Sequence, residues 1–346
     1  MCFQMTIIAP PDYFTTIMKR NPLLTKLPAF LLVIFLQSCE PTVPGSWKNE
    51  NIDKSNREKF HKLNDELFKL LKVNDEKQLE NIMSKDFIEN NYKSRLIELV
   101  SNRVKTADYN LLDEYYAVNR YKDIDTIKTG TTGINSYTLT YLGATHEMYM
   151  AFFIPRNITN KYMITAIYCK YDYGWKLTQL ELNQYTINGK TAPELYQQAK
   201  ESYNKNYLID ALNISASAFS CTRPSGIWKY DHEDEFTSFY NMLLKKSGEQ
   251  YKFPVTIKQV NTQPRIFRIF NQTTPDGDFP MIYYLSSIKL KDTSAIRREN
   301  ENIKKVIGQT LPGIDKDKKY VLYSAFNELP SGIKTVEHVD MSTRLK

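Results

Sequence analysis

The 346-residue chain carries 46 basic and 39 acidic residues, a formal charge of +7, and is 42% hydrophobic and 13% aromatic. Its 24 tyrosines and 17 phenylalanines exclude a disordered chain and call for cores with amphipathic edges. Charges alternate in sign, as from Asp315 to Lys319, which excludes a phosphate-tracking stripe and gives no reason to expect a nucleic-acid partner.

The first element in chain order is a targeting signal. Lys19, Arg20 and Lys26 precede the apolar run Leu27 to Leu36, the order of a secretory signal. The run is half of the roughly 20 apolar residues that a spanning helix needs, and it contains Pro28. It also lacks the polar positions of an amphipathic core helix. Leu36-Gln37-Ser38-Cys39 resembles the lipobox of bacterial lipoproteins. The resemblance implies a signal peptide over 1–38 and a diacylglycerol on Cys39, which becomes the mature N-terminus. Met18 begins a signal of ordinary proportions, so 1–17 read as an upstream extension. In the sorting scheme that this resemblance brings with it, aspartate after the cysteine would favour inner-membrane retention, so Glu40 implies the outer membrane. Removing 1–38 takes away Lys19, Arg20, Lys26 and Asp12 and lowers the formal charge from +7 to +5. The expected partner is therefore the membrane, through an N-terminal lipid.

Residues 39–54 read as a lipidated tether, polar and bearing Pro and Gly. Ser55-Asn56-Arg57-Glu58 has the spacing of a capping box, and Phe60, Leu63, Leu67, Leu70 and Leu71 follow on one helical face. A second helix starts near Asn74 and a third covers Ser94 to Lys105. From Tyr115 the period changes to that of strands: Tyr137 to Tyr141, Met148 to Ile154, and Tyr162 to Tyr171 with Trp175 to Leu182 as its hairpin partner. Helices followed by an antiparallel meander predict an α+β domain, with helices packed on a curved antiparallel sheet. The run from Asn74 to Phe87 and the hairpin Gly174-Trp175-Lys176-Leu177 resemble parts of nuclear transport factor two-like domains, a likeness covering 55–190. That superfamily includes enzymes, binders and structural modules alike.

Residues 191–224 resemble one tetratricopeptide-type helical hairpin, with Pro193 in its first turn and Asn204-Lys205-Asn206 between the helices. One copy makes no solenoid, so a helical connector is expected. Residues 230–340 read as a smaller α+β domain: a helix at Asp234 to Lys246, and strands at Phe253 to Val260, Arg265 to Gln272 and Met281 to Leu290. A helix between Asp292 and Gly308 and a strand from Lys319 to Phe326 complete it.

Chemistry-bearing motifs are sparse. Lys128-Thr129-Gly130 and Ser202-Tyr203-Asn204-Lys205 resemble motifs of penicillin-interacting enzymes, but in reversed order and without a companion motif. His61, His146, His232 and His338 lack metal-ligand spacing, and the acids from Asp231 to Glu235 suit a helix N-terminus. No catalytic residue, metal or cofactor is assigned. If the first sheet curls into a cone, Tyr137, Tyr141, Tyr149 or Phe153, Tyr168 and Trp175 line a ligand pocket, although core packing is the favoured use of the same side chains. Cys169 and Cys221 either pair as a disulfide or remain two buried thiols, the latter favoured. The expected function is that of a membrane-anchored, non-enzymatic lipoprotein binding an envelope protein or a small apolar ligand. The alternative is a hydrolase- or isomerase-like enzyme using the conical pocket.

Overall fold

Asp53, rather than Ser55, caps the first helix: its carboxylate accepts from the backbone N–H of Ser55 and Asn56. Aspartate at this position satisfies two N–H groups that have no intrahelical partner. A computed structural model describes residues 43–331 and 336–345. The signal 1–38, Cys39 and the start of the tether lie outside the described residues. The chain divides after Val43, and the unit Pro44–Lys346 contains the elements that follow. No helix among the described residues is long and apolar enough to cross a membrane.

Strand β1 (Gly45–Lys48) leads into α1 (Lys54–Val73), α2 (Glu76–Ile82), α3 (Lys85–Ile88) and α4 (Lys93–Thr106). Phe60, Leu67 and Leu71 of α1 and Ile97, Val100 and Val104 of α4 are buried against one face of an antiparallel sheet ordered β1-β2-β5-β6-β7. Its other strands are β2 (Tyr109–Val118), β5 (Glu147–Pro155), β6 (Tyr162–Tyr171) and β7 (Gly174–Gln184). Strand parity divides the side chains. Tyr149, Ala151 and Phe153 of β5 meet the helices, whereas Met148, Met150 and Phe152 face a second core.

That second core needs a cover of its own, because a sheet apolar on both faces is stable only with both faces buried. The cover comes from α5 (Ala192–Asn204), α6 (Leu208–Ser220) and a sheet of β3 (Ile124–Lys128), β4 (Tyr137–Leu142) and β8 (Trp228–Tyr230). Glu194 reaches back to the Thr191 N–H at 2.8 Å, closing the start of α5. The hairpin expected at 191–224 and Trp228 contribute side chains to the core on this face of the first sheet.

The rest of the chain holds α7 (Glu233–Gln250), β9 (Val255–Thr256), β10 (Arg265–Thr274), β11 (Gly277–Leu285), α8 (Thr293–Thr310), β12 (Tyr320–Phe326) and β13 (His338–Arg344). The sheet order is β13-β12-β11-β10-β9, and only β11 and β12 run parallel, as the crossover through α8 permits. Ile296, Ile303 and Ile307 of α8 pack into this third core. The whole is an α+β fold. The strand expected at Phe253 to Val260 shortens to Val255–Thr256, while β3 and β13 were not anticipated.

Candidate functional site

The most elaborate polar cluster forms where α1 crosses β2. Arg57, His61 and Asn64 recur at intervals of four and three residues, which places them in one stripe of α1 beside the buried Phe60–Leu67 stripe. Facing them on β2 is Glu114, whose side chain is completely buried. A β-bulge sets its position: the pairing of β2 with β5 shifts between Leu111 and Asp113. The extra residue sends Leu112 and Asp113 to the hairpin side and Glu114 to the helix side. Asn49 fixes the bend by accepting from the Glu114 N–H at 2.8 Å and donating to Asp113 Oδ1 at 2.8 Å.

Three donors converge on the Glu114 carboxylate. Arg57 Nε lies 2.6 Å from Oε1, His61 Nε2 lies 3.0 Å from Oε1, and the Tyr149 hydroxyl donates to Oε2 at 2.7 Å. Tyr149 has one proton, and Glu114 takes it, so its oxygen accepts from Asn64 Nδ2 at 2.7 Å. This directional chain leaves Asn64 Oδ1 buried with no partner, although Asn64 is only 6% exposed. In the neutral tautomer that directs Nε2–H at the carboxylate, His61 has a lone pair on Nδ1.

Beside this cluster opens a cleft of about 380 Å³, lined by His61, Asn64, Phe68, Tyr109, Asn110 and Phe153 among others. Phe68 stands edge-on to Phe153 at 4.7 Å and tilted to Tyr109 at 6.1 Å, forming an apolar wall. Burial pushes the Tyr109 hydroxyl up to about 12, against the pull of Arg103, which keeps it a neutral donor at physiological pH. Lys72 and Asp108 line the rim 3.8 Å apart. No serine, threonine or cysteine lines the cleft.

The five aromatic residues expected around a cone do not share a cavity. Tyr137 and Tyr141 are buried in the hairpin-side core, whereas Tyr149, Tyr168 and Trp175 belong to the helix-side core. Phe60 fills the space between the latter, stacked on Tyr149 at 4.2 Å and edge-on to Trp175 at 5.1 Å. Tyr137 stacks on Trp228 and donates to Asp113, which pairs with Lys48 at 3.1 Å. Burial raises the phenols of Tyr137, Tyr149 and Tyr168 well beyond the ordinary tyrosine range. Of the five, only Tyr149 touches the polar cluster, through its hydroxyl.

Cys169 and Cys221 are free, buried thiols of one core, so the pairing weighed for them is absent. Burial pushes both up, Cys221 to about 12. His146 Nδ1 sits 2.9 Å from the Asn119 carbonyl, His232 Nδ1 3.0 Å from Glu235, and His338 Nδ1 3.1 Å from the Val336 carbonyl. Among the described residues no group of three or more His, Cys, Asp or Glu is placed to hold a metal ion. Thr129 donates to the Tyr137 carbonyl at 2.6 Å and Ser202 to Asp210 at 2.9 Å, so the two catalytic-looking motifs engage separate partners.

A second cleft, of about 320 Å³, lies between the α5–α6 hairpin and the β10–β11 hairpin. Asp210, 3% exposed, meets Lys318 Nζ at 2.5 Å and accepts from Ser202. Burial raises its carboxyl, with Lys318 and Ser202 pulling the other way. The Asn188 amide clamps the hairpin tip, donating to the Asp278 carbonyl at 2.8 Å and accepting from its N–H at 2.7 Å. Gly277 admits this contact, since a Cβ there would stand 2.4 Å from Asn188 Oδ1.

Comparison with protein families, with curated proteins and with solved structures finds no match.

Proposed function

We propose that this chain is a lipid-anchored protein of the bacterial cell envelope, at the outer rather than the inner membrane. It binds a small ligand with an apolar face and one hydrogen-bond donor in the His61–Asn64 cleft, and catalyses no reaction. The observation that carries the binding reading is the partly exposed His61 ring, whose Nε2 is held by Glu114 so that Nδ1 is left toward the cleft beside an aromatic wall. A ligand N–H or O–H that donates to this nitrogen adds a net of about 0.5–1.5 kcal/mol. Clefts that bind small ligands combine apolar walls with placed polar groups, and this one sets Phe68, Leu111 and Phe153 beside His61, Asn64 and Asn110 in a lining that is about half polar. The order of basic residues, apolar run and Leu36-Gln37-Ser38-Cys39 supports the anchor. Helices on one face of a long antiparallel sheet support the likeness to nuclear transport factor two-like domains.

Indole and 1-methylindole test the binding reading, since they share an aromatic face but only indole donates. Calorimetric titration is expected to give indole about tenfold tighter binding, the worth of one added hydrogen bond. Equal affinities, or no binding of either, would sink it. Palmitate incorporation lost on Cys39→Ala tests the anchor.

A second reading rests on the His61–Glu114 contact, in which a carboxylate orients an imidazole as in general-base sites. It requires turnover on some substrate that falls about 100-fold or more in His61→Ala while the protein stays folded.

A further inference from the structure

The membrane end of the fold follows from where the chain enters it. Gly45, the first residue of β1, pairs with Val118 at the C-terminal end of β2. Cys39 is six residues earlier, a reach of about 20 Å when fully extended. A lipid on Cys39 therefore keeps this end of the sheet at the bilayer surface whatever path the tether takes.

The same end carries exposed apolar side chains. Tyr121 is 71%, Ile124 70% and Leu142 60% exposed. Ile124 and Leu142 are register partners on β3 and β4, hence neighbours on one face. The turn holding Tyr121 folds onto Gly143: the Gly143 N–H donates to the Asp123 carbonyl at 2.8 Å, and a Cβ there would stand 3.0 Å from the Tyr121 carbonyl oxygen. Glycine is what lets this turn lie against Leu142. Tyr173, 64% exposed, caps the β6–β7 turn at that end too, because Val118 pairs with Glu147, Met148 with Cys169, and Cys169 with Lys176. It lies two strands, about 10 Å, from β2. Tyrosines flanking aliphatic side chains suit the boundary between headgroups and acyl chains, where the ring is apolar and the hydroxyl stays wet.

The opposite end holds the ligand cleft. Ile158 lies in the β5–β6 turn, and Tyr109, at the mouth of the ligand cleft, pairs with Pro155. The ten residues of β2 separate the two ends by about 30 Å.

We propose that Tyr121, Ile124, Leu142 and Tyr173 form a membrane-contact face that settles against the bilayer carrying the lipid on Cys39 and turns the ligand cleft toward the aqueous side. This inference rests on the lipid-anchor reading. The affinity comes from the lipid, and the face fixes the orientation.

Spin labels test it in the mature lipidated chain, on vesicles of phosphatidylethanolamine and phosphatidylglycerol. Tyr121→Cys, Tyr173→Cys and Ile158→Cys each place one reactive thiol on the surface, while Cys169 and Cys221 stay buried. On the vesicles, labels at 121 and 173 are expected to lose collisions with a water-soluble nickel chelate several-fold and to gain them with oxygen, whereas the label at 158 is unchanged. Labels at 121 and 173 that remain as open to the chelate as 158, in protein that floats with the vesicles, would overturn the contact face and leave the anchor standing. Protein that fails to float overturns both.

Discussion

Two buried carboxylates, Glu114 and Asp210, are compensated in different ways; a third, Glu299, accepts from the Thr262 hydroxyl. Glu114 lies where a helix crosses a sheet and collects Arg57, His61 and Tyr149, all from the elements that enclose it. Asp210 lies where the α5–α6 hairpin meets the C-terminal sheet, and the cation that meets it is Lys318, supplied by a loop far along the chain. There burial outweighs the lysine, and the carboxyl is held above the ordinary aspartate value. The contrast teaches that a buried charge is well compensated when neighbouring turns of one helix can all reach it. At a seam between units, a single long side chain has to serve.

The largest expected effect is at Glu114. Glu114→Ala strips the acceptor from Arg57 and His61 and is expected to cost about 3–5 kcal/mol, read by denaturant unfolding. A cost below about 1 kcal/mol would mean that the cluster is incidental and would erase the contrast. Lys318→Met comes next, at about 1–3 kcal/mol near neutral pH, because Asp210 keeps Ser202 and can take up a proton. Its cost is expected to shrink on acidification. Since the folded Asp210 value lies above the unfolded one, the stability it contributes is fully present below the unfolded value and is lost as pH rises through the folded value. Asp210→Asn should remove that slope, and an unchanged pH profile of unfolding would refute the assignment.

Tyr149→Phe is smaller, about 1–1.5 kcal/mol, and it frees Asn64 to turn its amide over. Indole binding should weaken along with it; unchanged binding would separate the cleft from the cluster. The subtlest measurement concerns the thiols. Cys169, on β6, and Cys221, after α6, share one core and should label together in a single slow phase governed by unfolding. Two phases would show the sheet and the hairpin opening separately.

Regular elements were legible wherever period and boundary agreed. Tyr162–Tyr171 matches its expected limits, and Asp292 caps α8 by accepting from the Ala295 N–H at 2.9 Å. Strand β3 is hidden because its residues, exposed except for Ile127, carry no alternating pattern. Strand β13 does alternate, with Val339 and Met341 between exposed neighbours, and so offers a short signal near the chain end. The aromatic cone failed for a related reason: β5 is apolar on both faces, so alternation does not tell which side Tyr149 meets. Glu114 is hard to read from the sequence because its partners on α1 lie more than 50 residues away and Tyr149 lies 35 residues away, while His61 taken alone carries no ligand spacing. A signal was nonetheless present. Arg57, His61 and Asn64 share a helical stripe, and Asp113-Glu114 interrupts a run rich in tyrosine and aliphatic residues. A charged pair inside a strand of that kind asks for partners on both faces of the sheet, and here it has them.

The placement of the three tryptophans has a practical consequence. Trp47 and Trp175 pack on the helix side of the first sheet, while Trp228 is enclosed on the other. The protein thus carries optical reporters on either side of one layer. Replacing Trp228 with Phe leaves emission from the cleft side alone, and replacing Trp47 and Trp175 isolates the hairpin side. Ligand entry and hairpin movement then become separable colours of the same intrinsic fluorescence.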